Sequence, residues 1–289
     1  MGMDNSKASF WYQMYKEKKI KQQSFSLCFS EPGRVDRNGT PAGAMVLGGT
    51  DTRLHKTGMV YAKQSDANEK YSLHLEKVYL LEPGTAEKSE VQVEQYHKVQ
   101  IFEEDLNNRG PIILDSGTTA TYLTNKLEKH FVQVFNDMVP EDVMVLDPKV
   151  AIYNLTLSQV EQLPTIVLQM KAWNPAGDQE PEVPSVTKLP GFVGSDLDPA
   201  HAGRSIVLAM PPSSYLTRSG IENQENDNTN PDQAFRHMFG LFFSKSVGGV
   251  IGGNFMRGYD ILFDIDNSRI GFAESDCEYS TLVDDTESG

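Results

Sequence analysis

The feature that most constrains this chain is an apolar run that ends on a carboxylate: Pro111-Ile112-Ile113-Leu114-Asp115-Ser116-Gly117-Thr118-Thr119. Consecutive large aliphatic residues bounded by a proline and a glycine turn read as a buried strand. That strand delivers Asp115 into a turn, since Asp-Ser-Gly is a common turn sequence. Gly117 permits close backbone approach to the carboxylate. Ser116, Thr118 and Thr119 supply hydroxyls that can hydrogen-bond it. Taken alone, the triplet is an ordinary strand-to-turn aspartate, and its meaning depends on what else the chain contains.

The rest of the sequence reads as mostly β. Ser24 to Ser30 and Ala44 to Gly48 are strand-like, with a Gly/Pro/Asn-rich turn between them. Tyr71 to Leu81 alternates through Leu73, Leu75 and Val78, and Val91 to Phe102 is strand-like but polar. Leu163 to Met170 and Ser205 to Met210 are further short strands, and Phe235 to Phe243 suits a short helix or a strand. Val250-Ile251-Gly252, Ile261 to Asp264 and Arg269 to Phe272 close the chain as strands. Two stretches have helical spacing: residues 9 to 20, with an aromatic and a basic face, and Asn125 to Met138, through Leu127, Phe131, Val134 and Phe135. Residues 174 to 204 and 219 to 233 are polar and rich in turn formers, and read as long loops. The residues from Glu278 onward are acidic and read as a disordered tail.

Composition excludes several classes of function. At 289 residues the chain can bury a sizeable core, in one large or two modest domains. A net charge of -14 argues against nucleic acid and against docking on anionic lipid, both of which need clustered Lys and Arg. No apolar stretch approaches the roughly 20 residues of a membrane span. The first residues, Met-Gly-Met-Asp-Asn-Ser-Lys, lack the basic-then-apolar pattern of a secretory leader. His55, His74, His97, His130, His201 and His237 show no metal-ligand spacing, and neither a metal nor a cofactor is expected. Cys28 and Cys277 are too few for a disulfide scaffold and too far apart for a metal motif; they can form one long-range bridge in an oxidising compartment, or remain buried thiols. Asn38-Gly39-Thr40 and Asn154-Leu155-Thr156 are glycosylation sequons.

The order of motifs resembles the pepsin family of aspartic proteases. Behind Asp115-Ser116-Gly117-Thr118-Thr119 come Val250-Ile251-Gly252, then Asn254-Phe255-Met256-Arg257, then Ile261-Leu262-Phe263-Asp264 and Arg269-Ile270-Gly271-Phe272-Ala273. In that family an apolar-apolar-Asp-Ser/Thr-Gly-Thr element is followed by an apolar-apolar-Gly segment that threads beside the catalytic loop, and by a closing hairpin. Upstream, Ser24 to Phe29, Gly43 to Asp51, Thr57-Gly58 and Tyr71 to Val78 also have family counterparts, as do Leu163 to Ile166 and Met210 to Leu216. The likeness covers most of residues 22 to 277 and fails at 174 to 204.

The resemblance implies a pepsin-like acid protease fold: a complete C-terminal lobe plus the last strands of the N-terminal lobe. Residues 1 to 65 would be the tail of the N-terminal lobe and the interlobe strands, residues 66 to 277 the C-terminal lobe, and 278 to 289 the tail. It implies aspartic-type endopeptidase chemistry, with Asp115 as a catalytic residue. Ser116, Gly117, Thr118 and Thr119 would face a peptide substrate, Tyr71 and Ile113 would border its pockets, and Val250, Ile251 and Gly252 would support the catalytic loop. The memapsin-like and plant-type members of the family imply a Cys28–Cys277 disulfide. The full-length protein would be a monomer of the secretory pathway.

One element of that resemblance is absent. Family enzymes need two aspartates, one per lobe, which share a proton. This sequence carries one Asp-Ser-Gly; the nearest second candidate, Gly49-Thr50-Asp51-Thr52-Arg53, has arginine where glycine is required. The expectation is therefore a sequence truncated at the N-terminal side, whose missing lobe supplies the second aspartate, and which is inactive alone. A catalytically inactive pepsin-like binding protein is the alternative. A self-dimerising one-aspartate protease fits less well, because such chains are much shorter.

Overall fold

The computed structural model describes residues 7–30, 43–65, 70–86, 91–107, 110–174, 188–198, 203–218, 233–245 and 248–277. The architecture is mostly β, in agreement with the alternating apolar pattern, and the strands among the described residues form four sheets. The expected tail from 278, the Asn38 sequon and His201 lie outside the described residues.

The first sheet joins the two ends of the chain. Its order is Gly43–Leu47, Ser24–Phe29, Tyr259–Asp264, Arg269–Glu274, Val60–Lys63, antiparallel throughout. The N-terminal strands therefore enclose the closing hairpin. Period-2 alternation gives the sheet two different faces. Phe25, Ile261, Phe263, Ile270 and Phe272 face the main core, all 3 % exposed or less. The Phe25 ring stacks on Phe263 at 4.6 Å and on Trp11 at 6.4 Å. Ser24, Ser26, Cys28 and Asp260 occupy the other face. The register that sets Cys28 opposite Asp260 brings the strand end to Cys277, and the two cysteines form a disulfide across 249 residues of sequence. On the same face Asp260, fully buried, accepts a hydrogen bond from the Thr50 hydroxyl and pairs with His55 Nε2 at 2.8 Å. A buried carboxylate is costly unless partnered in this way.

The second sheet, Gly191–Val193, Ser205–Met210, Thr165–Lys171, Leu75–Leu81, Tyr96–Lys98, is also antiparallel. A small third sheet joins Leu216–Arg218, Phe235–Phe239 and Ile152–Leu155. The fourth carries Asp115. Beside it packs the helix Glu128–Met138, with Phe131 and Phe135 fully buried.

Several local expectations are corrected. The first helix is only Phe10–Lys16; Lys18 adopts φ 58°, which stops propagation. The stretch 91 to 102 is strand only at Tyr96–Lys98, after a 3-10 turn at Val93–Gln95 closed by a Gln92/Gln95 capping box. Within the expected loop 174 to 204, Gly191–Val193 is a sheet strand and Leu197 is buried, so part of that segment is structural. Phe235 to Phe243 is two strands, Phe235–Phe239 and Leu241–Ser244, in different sheets. They divide at Gly240, where a Cβ would stand 2.9 Å from the Asn254 amide nitrogen. No helix among the described residues is long and apolar enough to cross a membrane.

Candidate functional site

Asp115 stands at the end of the strand Ile112–Leu114, between two neighbours that hold its backbone from both sides. Ser72–Leu73 pairs antiparallel with this strand and Val250–Ile251 pairs parallel with it. The Leu114 amide donates to Tyr71 O (2.8 Å), the Ile113 amide to Gly249 O (3.1 Å) and the Asp115 amide to Ile251 O (3.0 Å). The ladder thus continues to the carboxylate-bearing residue and stops there.

The turn then folds back on the side chain. The Gly117 amide donates to Asp115 Oδ1 at 2.9 Å, and the Thr118 hydroxyl donates to Oδ2 at 2.7 Å. Each carboxylate oxygen has its own donor, so the group's orientation is fixed. The Thr118 amide closes the turn on Asp115 O at 3.2 Å. A Cβ on residue 117 would lie 3.2 Å from Oδ1, which is why glycine suits that position.

The support behind the turn is polar and buried. Gly252 follows Ile251 and passes directly beside the loop: its amide donates to the Thr121 hydroxyl at 3.3 Å. The next two amides continue the contact, Gly253 to Thr118 O (2.7 Å) and Asn254 to Thr119 O (3.0 Å). Asn254 Oδ1 accepts from the Thr121 hydroxyl at 2.8 Å, and its Nδ2 donates to Gly240 O at 2.9 Å. Asn254 is 2 % exposed and Thr121 fully buried, so these bonds face no competition from bulk water. Gly253–Met256 is one helical turn that leads from this clamp to the closing hairpin.

The structure gathers most of the residues singled out in the sequence. Asp115, Ser116, Gly117, Thr118 and Thr119 form one turn, with Ser116, Gly117 and Thr119 exposed and Thr118 half-buried. Ile113 is half-buried two residues before Asp115. Ile251 is fully buried behind the loop, and Val250 is half-buried in register with Ile113. Tyr71 is 7 % exposed, with its ring 4.6 Å from Phe263 and 5.8 Å from Phe25. Asn154 is exposed on its strand, which belongs to the third sheet rather than the fourth. The Asn254–Thr121–Gly240 clamp was missed in the sequence. Its one signal is an amide residue two positions after the Val-Ile-Gly run, in otherwise apolar surroundings.

Asp51, the nearest second motif, is engaged elsewhere. It caps the 3-10 turn Thr52–Leu54 and meets Arg53 Nη2 at 2.6 Å. The hydrogen-bonded Arg53 side chain holds its carboxyl below the usual carboxylate range. Among the described residues, no group of three or more His, Cys, Asp and Glu gathers to hold a metal.

The arrangement presents one oriented, half-exposed carboxylate on a rigid β scaffold beside open loop backbone. Such a group can accept a proton from a bound water or hold that water by hydrogen bonds. The model of the family described as Eukaryotic aspartyl protease matches residues 2–174, a span that includes the Asp115 turn. No curated protein matches the chain.

Proposed function

Since the chain belongs to the eukaryotic aspartyl protease family, we propose that Asp115 is one carboxylate of an aspartic endopeptidase pair, and that the 289 residues alone supply only that half. In the complete site a second carboxylate faces Asp115. Two like charges so close cannot both ionise, so the pair shares a proton and titrates as a unit. The ionised member takes a proton from water as it attacks the scissile carbonyl, and the protonated member hydrogen-bonds the carbonyl oxygen. A second lobe supplies the other aspartate, and the assembled enzyme is a monomer.

The observation that carries this reading is the one-donor-per-oxygen grip on Asp115 by Gly117 and Thr118. A carboxylate fixed this well on a buried polar clamp is built for orientation rather than for solubility. The reading of half a pair rests on the single Asp-Ser-Gly in the sequence. The buried Cys28–Cys277 disulfide supports an oxidising compartment, hence a secretory route.

The test is cleavage of a mixed-peptide library by the 289-residue protein at acid pH, with and without pepstatin. No pepstatin-sensitive cleavage is expected. Cleavage that Asp115→Ala abolishes would overturn the half-site reading. The alternative, a catalytically inactive binding protein, draws on the same single motif; it predicts peptide capture but no cleavage even after a second aspartate-bearing lobe is supplied.

A further inference from the structure

The sheet that carries Asp115 has the strand order Leu241–Ser244, Thr121–Thr124, Val250–Ile251, Ile112–Leu114, Ser72–Leu73. Its registers align one residue from each of four neighbouring strands: Phe242 opposite Tyr122, Tyr122 opposite Val250, Val250 opposite Ile113. Directly opposed residues share a face of a sheet. Leu241, Leu123, Ile251 and Leu114, one position away on the same four strands, are buried in the core. Phe242, Tyr122, Val250 and Ile113 are all half-buried on the opposite side. The Tyr122 and Phe242 rings meet at 5.5 Å between centroids, so the two side chains do lie together. Side-chain alternation puts Asp115, two residues after Ile113, on that same side.

The row does not end at a closed wall. Leu241–Ser244 is the edge strand of this sheet, and a cavity of about 170 Å3 opens there. Phe242 and Phe243 line it with Leu146, Pro148, Val150 and the charged side chains of Glu128 and Lys149. Three strand spacings separate the Asp115 strand from the edge strand, roughly 14 Å at about 4.8 Å each. An extended peptide advances about 3.3 Å per residue, so the edge lies roughly four residues from a bond held at Asp115.

We propose that the Tyr122–Phe242 ring pair determines specificity: the peptide bound at Asp115 lies across this row and sets a bulky apolar side chain on the rings, roughly four residues from the scissile bond. The proposal rests on the peptide-binding reading above and adds to it the class of substrate. Polar residues at that distance would leave the row wet and gain nothing from it. Aliphatic or aromatic residues would remove both surfaces from water.

The experiment measures binding, so it does not depend on catalysis. Fluorescence anisotropy follows labelled undecapeptides with a fixed Leu-Phe centre and either Phe or Ser four residues to one side or the other. The 289-residue protein should bind one Phe peptide about 10-fold or more tighter than its Ser counterpart. Phe242→Ser and Tyr122→Thr should each abolish that preference and melt as cooperatively as the parent. If a variant fails to fold, Phe242→Leu replaces it and should narrow the preference for Phe over Ser. Equal binding of Phe and Ser peptides, with binding still sensitive to Gly117→Val beside Asp115, would overturn the ring-pair proposal and leave the peptide-binding reading standing. Absence of binding by every peptide would also overturn the ring-pair proposal, since the row then holds no peptide.

Discussion

Gly252 passes so close to Ala120 that a Cβ on residue 252 would overlap the Ala120 carbonyl oxygen and stand 2.7 Å from that of Thr118. Its own φ of -88° is ordinary, so space rather than backbone conformation demands glycine there. The atoms it would strike are backbone of the loop that holds Asp115, and backbone cannot rotate away as a side-chain end can.

Gly252→Ala is therefore expected to destabilise the protein by about 3 kcal/mol or more, at the upper end of overpacking costs. Denaturant unfolding measures the loss. Amide exchange at Gly117 and Gly253 should accelerate in the variant, since both amides donate inside the displaced segment. A loss below about 1 kcal/mol would mean that the loop adapts and that the clamp is not rigid.

The Cys28–Cys277 disulfide spans 249 residues and joins the outer part of the first sheet to the end of the closing hairpin. Closing a loop this long restricts the unfolded chain strongly, and Cys28→Ser should cost about 2–5 kcal/mol. Thermal unfolding of the parent with a reductant should approach that of the variant. Identical melting of the parent with and without the bond would contradict the assignment.

His237 gives the fold a dependence on pH. Burial pushes its imidazole below the ordinary value of 6.5, the hydrogen bond to Phe235 O opposes this, and the charge of Arg218 adds to the lowering. Arg218 stands opposite His237 in the pairing of Leu216–Arg218 with Phe235–Phe239. The unfolded chain takes up a proton as pH falls through about 6.5, whereas the folded chain does so only at lower pH. Stability is thus undiminished above that value and declines as pH falls below it. Urea midpoints at pH 7.5 and 5 should drop more for the parent than for His237→Gln; an equal drop would place the sensitivity elsewhere.

The Asp115 turn was legible because its determinants are contiguous: an aliphatic run, a carboxylate, a glycine and hydroxyls all fall between Ile112 and Thr119. The ends of elements were less legible. The first helix stops at Lys16 because Lys18 turns left-handed, a choice that a pattern of aromatic and basic faces does not contain. Gly191–Val193 was hidden in a polar stretch because three residues are too few to show a period, and its burial comes from pairing with Ser205–Met210.

By itself the sequence determined that the chain is mostly β, that Asp115 ends a buried strand on a glycine turn, and, through its motif order, that the chain resembles aspartic proteases. Only the tertiary structure decided that Asn254 would tie Thr121 to Gly240, that Asp260 would find His55, and that Ile113, Val250, Tyr122 and Phe242 would form one row. The physical reason is register. A strand that slips by one residue turns every side chain to its other face, and what fixes it is pairing between segments more than a hundred residues apart, which no local pattern specifies.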